Sequence, residues 1–153
     1  MTLLTPTLRN SNKICNYQER DQGLPVISSM PLVAKIEVTT RCNLACSMCA
    51  TSFFDKKRAD ISLKTFMKLR SVFPYLLSAY LYGIGEPLLH PDLPEMVDTL
   101  IDEGVNVGII TNGILINKQM AEKWIERGLY KLSISIDGAT KKTYEKIRKG
   151  SSF

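Results

Sequence analysis

From Val33 onward the chain repeats one pattern: a short apolar run with β character, a turn, then an amphipathic stretch of helical period. Val33 to Thr40, Ala79 to Tyr82, Val105 to Ile110 and Leu132 to Asp137 are the predicted strands. Ser62 caps a stretch displaying Leu63, Phe66, Met67 and Val72 that Pro74 stops. Asp92 caps a helix in which Leu93, Met96, Val97, Leu100 and Ile101 recur at i, i+3, i+4, i+7 and i+8, with Gly104 as its left-handed terminator. Asn117 caps a third helix around Met120, Ala121, Trp124 and Ile125 that ends at Gly128. Thr140 to Lys149 makes a last short one around Tyr144 and Ile147, before Gly150. Parallel strands need long crossovers, so this alternation excludes an all-β sandwich and a plain helix bundle and leaves an α/β sheet.

In the last strand Leu132, Ile134 and Ile136 alternate with Ser133, Ser135 and Asp137, giving one apolar and one polar face. An internal strand of a doubly wound sheet is apolar on both faces, whereas a barrel turns small polar groups toward a ligand-filled interior. An exposed edge strand shows the same alternation, and both readings stand at this point.

The segment before this series reads differently. Residues 1–31 mix polar residues with Pro6, Gly23, Pro25 and Pro31 and hold no sustained period, which predicts a poorly ordered leader ahead of a core domain at 32–153. No run approaches the roughly eighteen apolar residues of a membrane span, and Met1 to Asn10 lacks a secretory pattern, so a cytoplasmic protein away from membranes is expected. The net charge is +5, and residues 131–150, with six basic and two acidic side chains, supply +4 of it. Phosphate neutralisation needs cations spread across a folded face, so nucleic acid is not the expected partner.

Three of the four cysteines fall within eight residues, Cys42-Asn-Leu-Ala-Cys46-Ser-Met-Cys49, directly after the first predicted strand. In a reducing compartment this reads as metal or cluster ligation and not as a disulfide framework. A closed zinc site takes four ligands, and the only histidine, His90, lies far along in a Pro-rich loop. A [4Fe–4S] cluster held by three cysteines leaves one iron open to a substrate or cofactor. Three unligated thiols are the bland alternative. Cys15 reads as a free thiol in the leader, His90 as a group that caps or packs its loop, and Lys56, Lys57 and Arg58 as a solvated turn, with carboxylate contacts as the alternative.

The stretch Val38-Thr-Thr-Arg-Cys-Asn-Leu-Ala-Cys-Ser-Met-Cys49 resembles the cluster loop of the radical S-adenosylmethionine (radical SAM) superfamily. Tyr82-Gly-Ile-Gly-Glu-Pro-Leu-Leu-His-Pro-Asp92 resembles that family's second-strand motif, Thr111-Asn-Gly113 its third-strand ending and Ser133-Ile-Ser-Ile-Asp-Gly138 its fourth. The resemblance implies a partial (β/α) barrel of the radical SAM type, with about four βα units here of a usual six. It implies that Cys42, Cys46 and Cys49 hold a [4Fe–4S] cluster whose open iron takes the amino and carboxylate groups of S-adenosylmethionine. An electron from a flavodoxin- or ferredoxin-type donor then yields methionine and a 5′-deoxyadenosyl radical, which abstracts hydrogen from a substrate that is a peptide, a protein or a small molecule. Cofactor contact carries over to Met48, where many members place an aromatic residue near the adenine. It carries over to Gly83, Gly85, Glu86 and Pro87 around the methionyl amino group, and to Asn112, Ser135 and Asp137 around the ribose and methionyl carboxylate.

Loops that follow parallel barrel strands open on one rim, so these segments are expected to meet in space. Taken alone, Gly83-Ile-Gly-Glu-Pro and Thr111-Asn-Gly113 are ordinary strand-ending turns, and Ser135 and Asp137 ordinary caps for the last helix. The second reading of the whole chain is a truncated, non-catalytic relic that binds a cluster or adventitious metal without turnover.

Overall fold

The computed structural model describes residues 5–50, 53 and 58–153. Four parallel strands, β1 Val33–Ile36, β2 Ser78–Leu81, β3 Asn106–Thr111 and β4 Lys131–Ile134, form one sheet in the order β1-β2-β3-β4. Parallel strands laid down in sequence order with right-handed crossovers collect their helices on one face, which is the curl of a partial (β/α) barrel. The helices are α1 Thr5–Asp21, α2 Leu63–Met67, α3 Leu93–Asp102, α4 Lys118–Arg127 and α5 Lys141–Ile147. From α2 the chain continues in 3-10 turns to Tyr75.

The helix-facing side of the sheet is the core. Ile36, Ala79, Leu81, Val107 and Ile109 pack against Phe66, Phe73, Leu76, Met96, Val97, Leu100 and Trp124. The opposite face carries Lys35, Tyr80, Gly108 and Lys131 in a single register row. β4, like β1, is an edge strand, and its apolar side is open, with Ile134 49% and Ile136 67% exposed. Among the described residues no helix is long and apolar enough to cross a membrane.

Local chemistry explains most boundaries. Ser62, Asn117 and Thr140 each accept a bond from the backbone N–H three residues on, and Gly104 and Gly128 end α3 and α4 with φ of +74° and +76°. Asp92, expected to cap α3, makes no side-chain capping bond. His90 organises that turn instead: its Nδ1 accepts from the Asp92 N–H at 3.0 Å, which puts the ring proton on Nε2 for the Ile61 carbonyl at 2.8 Å. Ile125, expected on the inner side of α4, points outward and is exposed, while Trp124 is buried.

β1 stops at Ile36 and does not run to Thr40, because the chain leaves β2 and pairs with its own return. Thr40 N–H donates to the Ala59 carbonyl and Ile61 N–H to that of Val38, both at 2.9 Å. This antiparallel clasp closes the base of the loop that carries the three cysteines.

The largest departure from expectation is at the N-terminus. Where the sequence reads as a poorly ordered leader, the structure has the 17-residue helix α1. Its inward stripe is Arg9, Asn12, Asn16 and Glu19, which is helical spacing written in polar residues. Arg9 Nη1 and Nη2 donate to the Gly104 and Glu103 carbonyls, both at 2.8 Å, and so satisfy the end of α3. Asn12 makes a two-way amide pair with the backbone of Met30, and Asn16 reaches Ser29 Oγ. Cys15 sits on the same helix, 3.7 Å from Ser28 Oγ.

Glu19 closes this latch. It accepts from Ser28 N–H, Ser28 Oγ–H and Ser29 N–H, and these bonds, led by those from Ser28, hold its carboxyl down at about 2. A carboxyl depressed in the folded state stabilises above its unfolded value of about 4.3 and loses that contribution as the pH falls toward 2. Limited pepsin digestion checks this: nicking between Gly23 and Ser29 is expected to be weak at pH 4 and strong at pH 2, and strong at both in Glu19→Gln. Equal protection of the two proteins at pH 4 would contradict it.

Candidate functional site

The loops after the four strands meet at one rim around a cavity of about 270 Å³. Cys42, Leu44, Cys46, Met48 and Cys49 line it from the first loop, Tyr82 to Glu86 from the second, Ile110 to Asn112 from the third, and Ser135 from beyond β4. Arg148, at the end of α5, completes the wall. The structure therefore brings together nine of the residues singled out from the sequence: Cys42, Cys46, Met48, Cys49, Gly83, Gly85, Glu86, Asn112 and Ser135. Two stand elsewhere. Pro87 is fully buried at the start of a 3-10 turn, where its fixed φ suits the first position, and it is not on the cavity wall. Asp137 is turned to Arg148, with Oδ2 2.6 Å from Nη2, and is also absent from the wall. Lys56 and Lys57 lie outside the described residues, and Arg58 is exposed.

The cysteine loop is fastened from three sides. Ala45 N–H and Ser47 N–H donate to the Lys149 and Ile147 carbonyls, at 2.8 and 2.9 Å, so the end of α5 rests on the loop at the rim and does not cross back along the sheet. Asn112 Nδ2 donates to Asn43 Oδ1 at 2.8 Å, tying the loop to the end of β3. Arg41 forms a bidentate pair with Asp60, at 2.9 and 2.7 Å, reaches the Leu89 carbonyl, and accepts the Glu86 N–H on its own carbonyl at 2.7 Å.

That last bond explains Gly85. A Cβ there would run into the carbonyl oxygens of Thr39 and Arg41, so only glycine lets the second loop lie flat against the base of the first. Glu86 is 2% exposed, and its carboxylate is already occupied. Oε1 accepts from Leu88 N–H at 3.1 Å and Thr111 Oγ1–H at 2.7 Å, and Oε2 from Asn112 N–H at 2.7 Å. It joins the second loop to the end of β3 from its place on the cavity wall.

The three cysteines are half-buried. Burial pushes the Cys46 thiol up, the nearby Arg148 charge pulls it down, and Cys42 and Cys49 add to the rise. Among the described residues no three Cys, His, Asp or Glu side chains converge as they would around one metal ion. The cavity wall carries three cysteines with, among the described residues, no fourth cysteine and no histidine, which falls short of the four ligands of a closed zinc site and matches a three-cysteine cluster. The donor set thus fits an iron–sulfur cluster.

The family model for the radical SAM superfamily matches residues 36–153. The chain belongs to the radical SAM superfamily. Among curated radical SAM relatives it is 35% identical over 105 residues to a tungsten-containing aldehyde ferredoxin oxidoreductase cofactor-modifying protein of Pyrococcus furiosus, covering 67% of this chain and 30% of that one. It is 31% identical over 124 residues to the mycofactocin maturase MftC of Mycobacterium ulcerans, covering 80% and 34%. The chain spans about a third of the length of these relatives. In fold it is similar to Streptococcus suis SuiB bound to S-adenosylmethionine, with a TM-score of 0.68 at 19% identity over 89% of this chain and 31% of that one. It is likewise similar to BtrN in complex with AdoMet and 2-DOIA, with a TM-score of 0.62 at 23% identity over 74% and 48%.

Sequence reasoning missed Arg148, Arg41, Asp60, Asn43 and Thr111. Arg148 was visible only as part of a basic run, and Arg41 only as the neighbour of Cys42. Nothing in their spacing marks them, because each is set by a partner that only the fold brings to it.

Proposed function

We propose that this chain carries the cofactor-binding part of a radical SAM enzyme, in which Cys42, Cys46 and Cys49 hold a [4Fe–4S] cluster and the cavity beside them takes S-adenosylmethionine. The observation that supports it best is the convergence of three thiols with the glycine-bearing second loop and the polar strand ends on one cavity. When bound, the cluster supplies the electron that cleaves the sulfonium of S-adenosylmethionine to methionine and a 5′-deoxyadenosyl radical, which takes hydrogen from a substrate. Gly83 and Gly85 lie on the cavity wall, and carbonyls of this loop suit an ammonium. Met48, exposed on the wall, offers a polarizable surface to an aromatic ring. Asn112 and Ser135 bring polar atoms to the far side. The electron comes from a flavodoxin- or ferredoxin-type donor.

The relatives' names, a cofactor-modifying protein and a mycofactocin maturase among them, span too many products to choose a substrate for this chain. Anaerobic reconstitution with iron and sulfide tests the reading. Iron–sulfur absorbance is expected in the unaltered chain and not in Cys46→Ala, and dithionite with S-adenosylmethionine should give 5′-deoxyadenosine. A chain that takes up no cluster refutes the proposal. A cluster without cleavage favours the non-catalytic reading.

A further inference from the structure

Arg148 is only 7% exposed, and it lines the cavity with Cys42, Cys46 and Cys49. A guanidinium so far out of water needs both charge compensation and partners for its N–H groups. Asp137 supplies part of this, at 2.6 Å from Nη2. The buried Nε–H has no hydrogen-bond partner. Buried donors are almost always satisfied, so a charged one left idle in a cavity wall is held for an acceptor that the protein does not itself provide. The sign of that acceptor is set by the neighbours, since three cysteines that bind as thiolates make this wall an anionic centre once loaded.

The backbone fixes the relation between the two. α5 ends on the cysteine loop through the Lys149 and Ile147 carbonyls, so Arg148 and Cys46 belong to one hydrogen-bonded unit. Ser151 closes the turn behind, its Oγ–H donating to the Arg148 carbonyl at 2.6 Å.

We propose that Arg148 is a positioning residue for the cluster, steadied by Asp137 so that its buried charge and unpartnered Nε–H meet the sulfur at the Cys46 corner, retaining the cluster and easing its reduction. This rests on the cluster reading above. A fixed positive charge beside a centre that gains an electron favours the reduced state, and a donor to sulfur raises the potential further.

The test uses the full 153-residue chain, reconstituted anaerobically as wild type, Arg148→Gln and Arg148→Lys, without S-adenosylmethionine. Iron release to a chelator and an EPR-monitored dithionite titration are read. Arg148→Gln is expected to release iron about tenfold faster and to be about tenfold harder to reduce, which is about 59 mV for one electron. Arg148→Lys keeps the charge but not the fork, so its potential should stay near wild type while its iron release is intermediate. Wild-type potential and iron release in both variants would overturn the proposal; S-adenosylmethionine is then titrated into the same samples, and an unchanged cluster with weakened binding of it would overturn the proposal too, assigning the donor to the cofactor's carboxylate. If Arg148→Gln does not fold, Arg148→Lys and Asp137→Asn decide, with faster iron release expected in both and wild-type rates in both contrary to the proposal. A wild-type chain that never takes up a cluster refutes the functional reading itself, and this inference with it.

Discussion

Glu86→Ala is expected to lower stability by about 4 kcal/mol, because buried donors stripped of their acceptor each cost about 1–3 kcal/mol. Three donors converge on this carboxylate: Leu88 N–H, Thr111 Oγ1–H and Asn112 N–H. Thr111 and Asn112 are buried, so water cannot replace the lost bonds at little cost. The change also propagates. Thr111 Oγ1 accepts from Gly113 N–H, and Asn112 holds Asn43 of the cysteine loop, so loosening the end of β3 loosens the loop. For a chain of this size about 4 kcal/mol lowers the melting temperature by roughly 8–16 °C, a large share of a typical stability of about 5–15 kcal/mol. Glu86→Gln separates the structural task from the contact expected from the sequence. Its amide must aim an NH₂ at donors already present, so it should lose roughly half as much with no ligand added. If Glu86→Gln melts with the wild type in the absence of S-adenosylmethionine, the carboxylate is not a clamp, and a cofactor contact becomes its better explanation.

The same contrast separates what the sequence makes legible from what it hides. Strands and core helices write themselves in apolar periodicity: Leu93, Met96, Val97 and Leu100 all reach the core as their spacing predicts. Helix α1 fails that test because its inner stripe is Arg9, Asn12, Asn16 and Glu19, and a helix fastened by hydrogen bonds presents no apolar stripe to detect. The cavity's residues were found through motifs at strand ends, since parallel strands deliver their loops to one rim. Roles within it were less visible. Glu86 and Asp137 read as ligand carboxylates from their motifs, and the sequence does not show that Glu86 also ties β3 to the second loop or that Asp137 leaves the cavity wall to hold Arg148. A motif fixes position along a strand, whereas the partner that claims a side chain depends on contacts made far away in sequence. The placing of Cys42, Cys46 and Cys49 together needed no distant partner, because short spacing alone confines three thiols to one loop.

Gly85→Ala is expected to cost about 3 kcal/mol, the upper part of the usual range for inserting atoms into a packed site, and to displace the second loop from the cysteine loop. The new Cβ would lie 2.7 Å from the Arg41 carbonyl oxygen and closer still to that of Thr39. Neither oxygen can yield cheaply. Arg41's accepts the Glu86 N–H at 2.7 Å, and Thr39 lies in the clasp that closes the loop base. The backbone of one loop must therefore move, and with it Glu86 and the wall it supports. Gly83→Ala is the control. Its Cβ would also collide, but with the exposed side chain of Glu37, which can swing away for the loss of one bond to Ile84 N–H, worth about 1 kcal/mol. Thermal melts of the two variants check the ranking, and alkylation of Cys42, Cys46 and Cys49 in the metal-free protein reads the loop itself. Gly85→Ala should melt well below Gly83→Ala and expose the thiols faster. Equal melting temperatures would mean that the two loops are not in the backbone contact that makes this cavity.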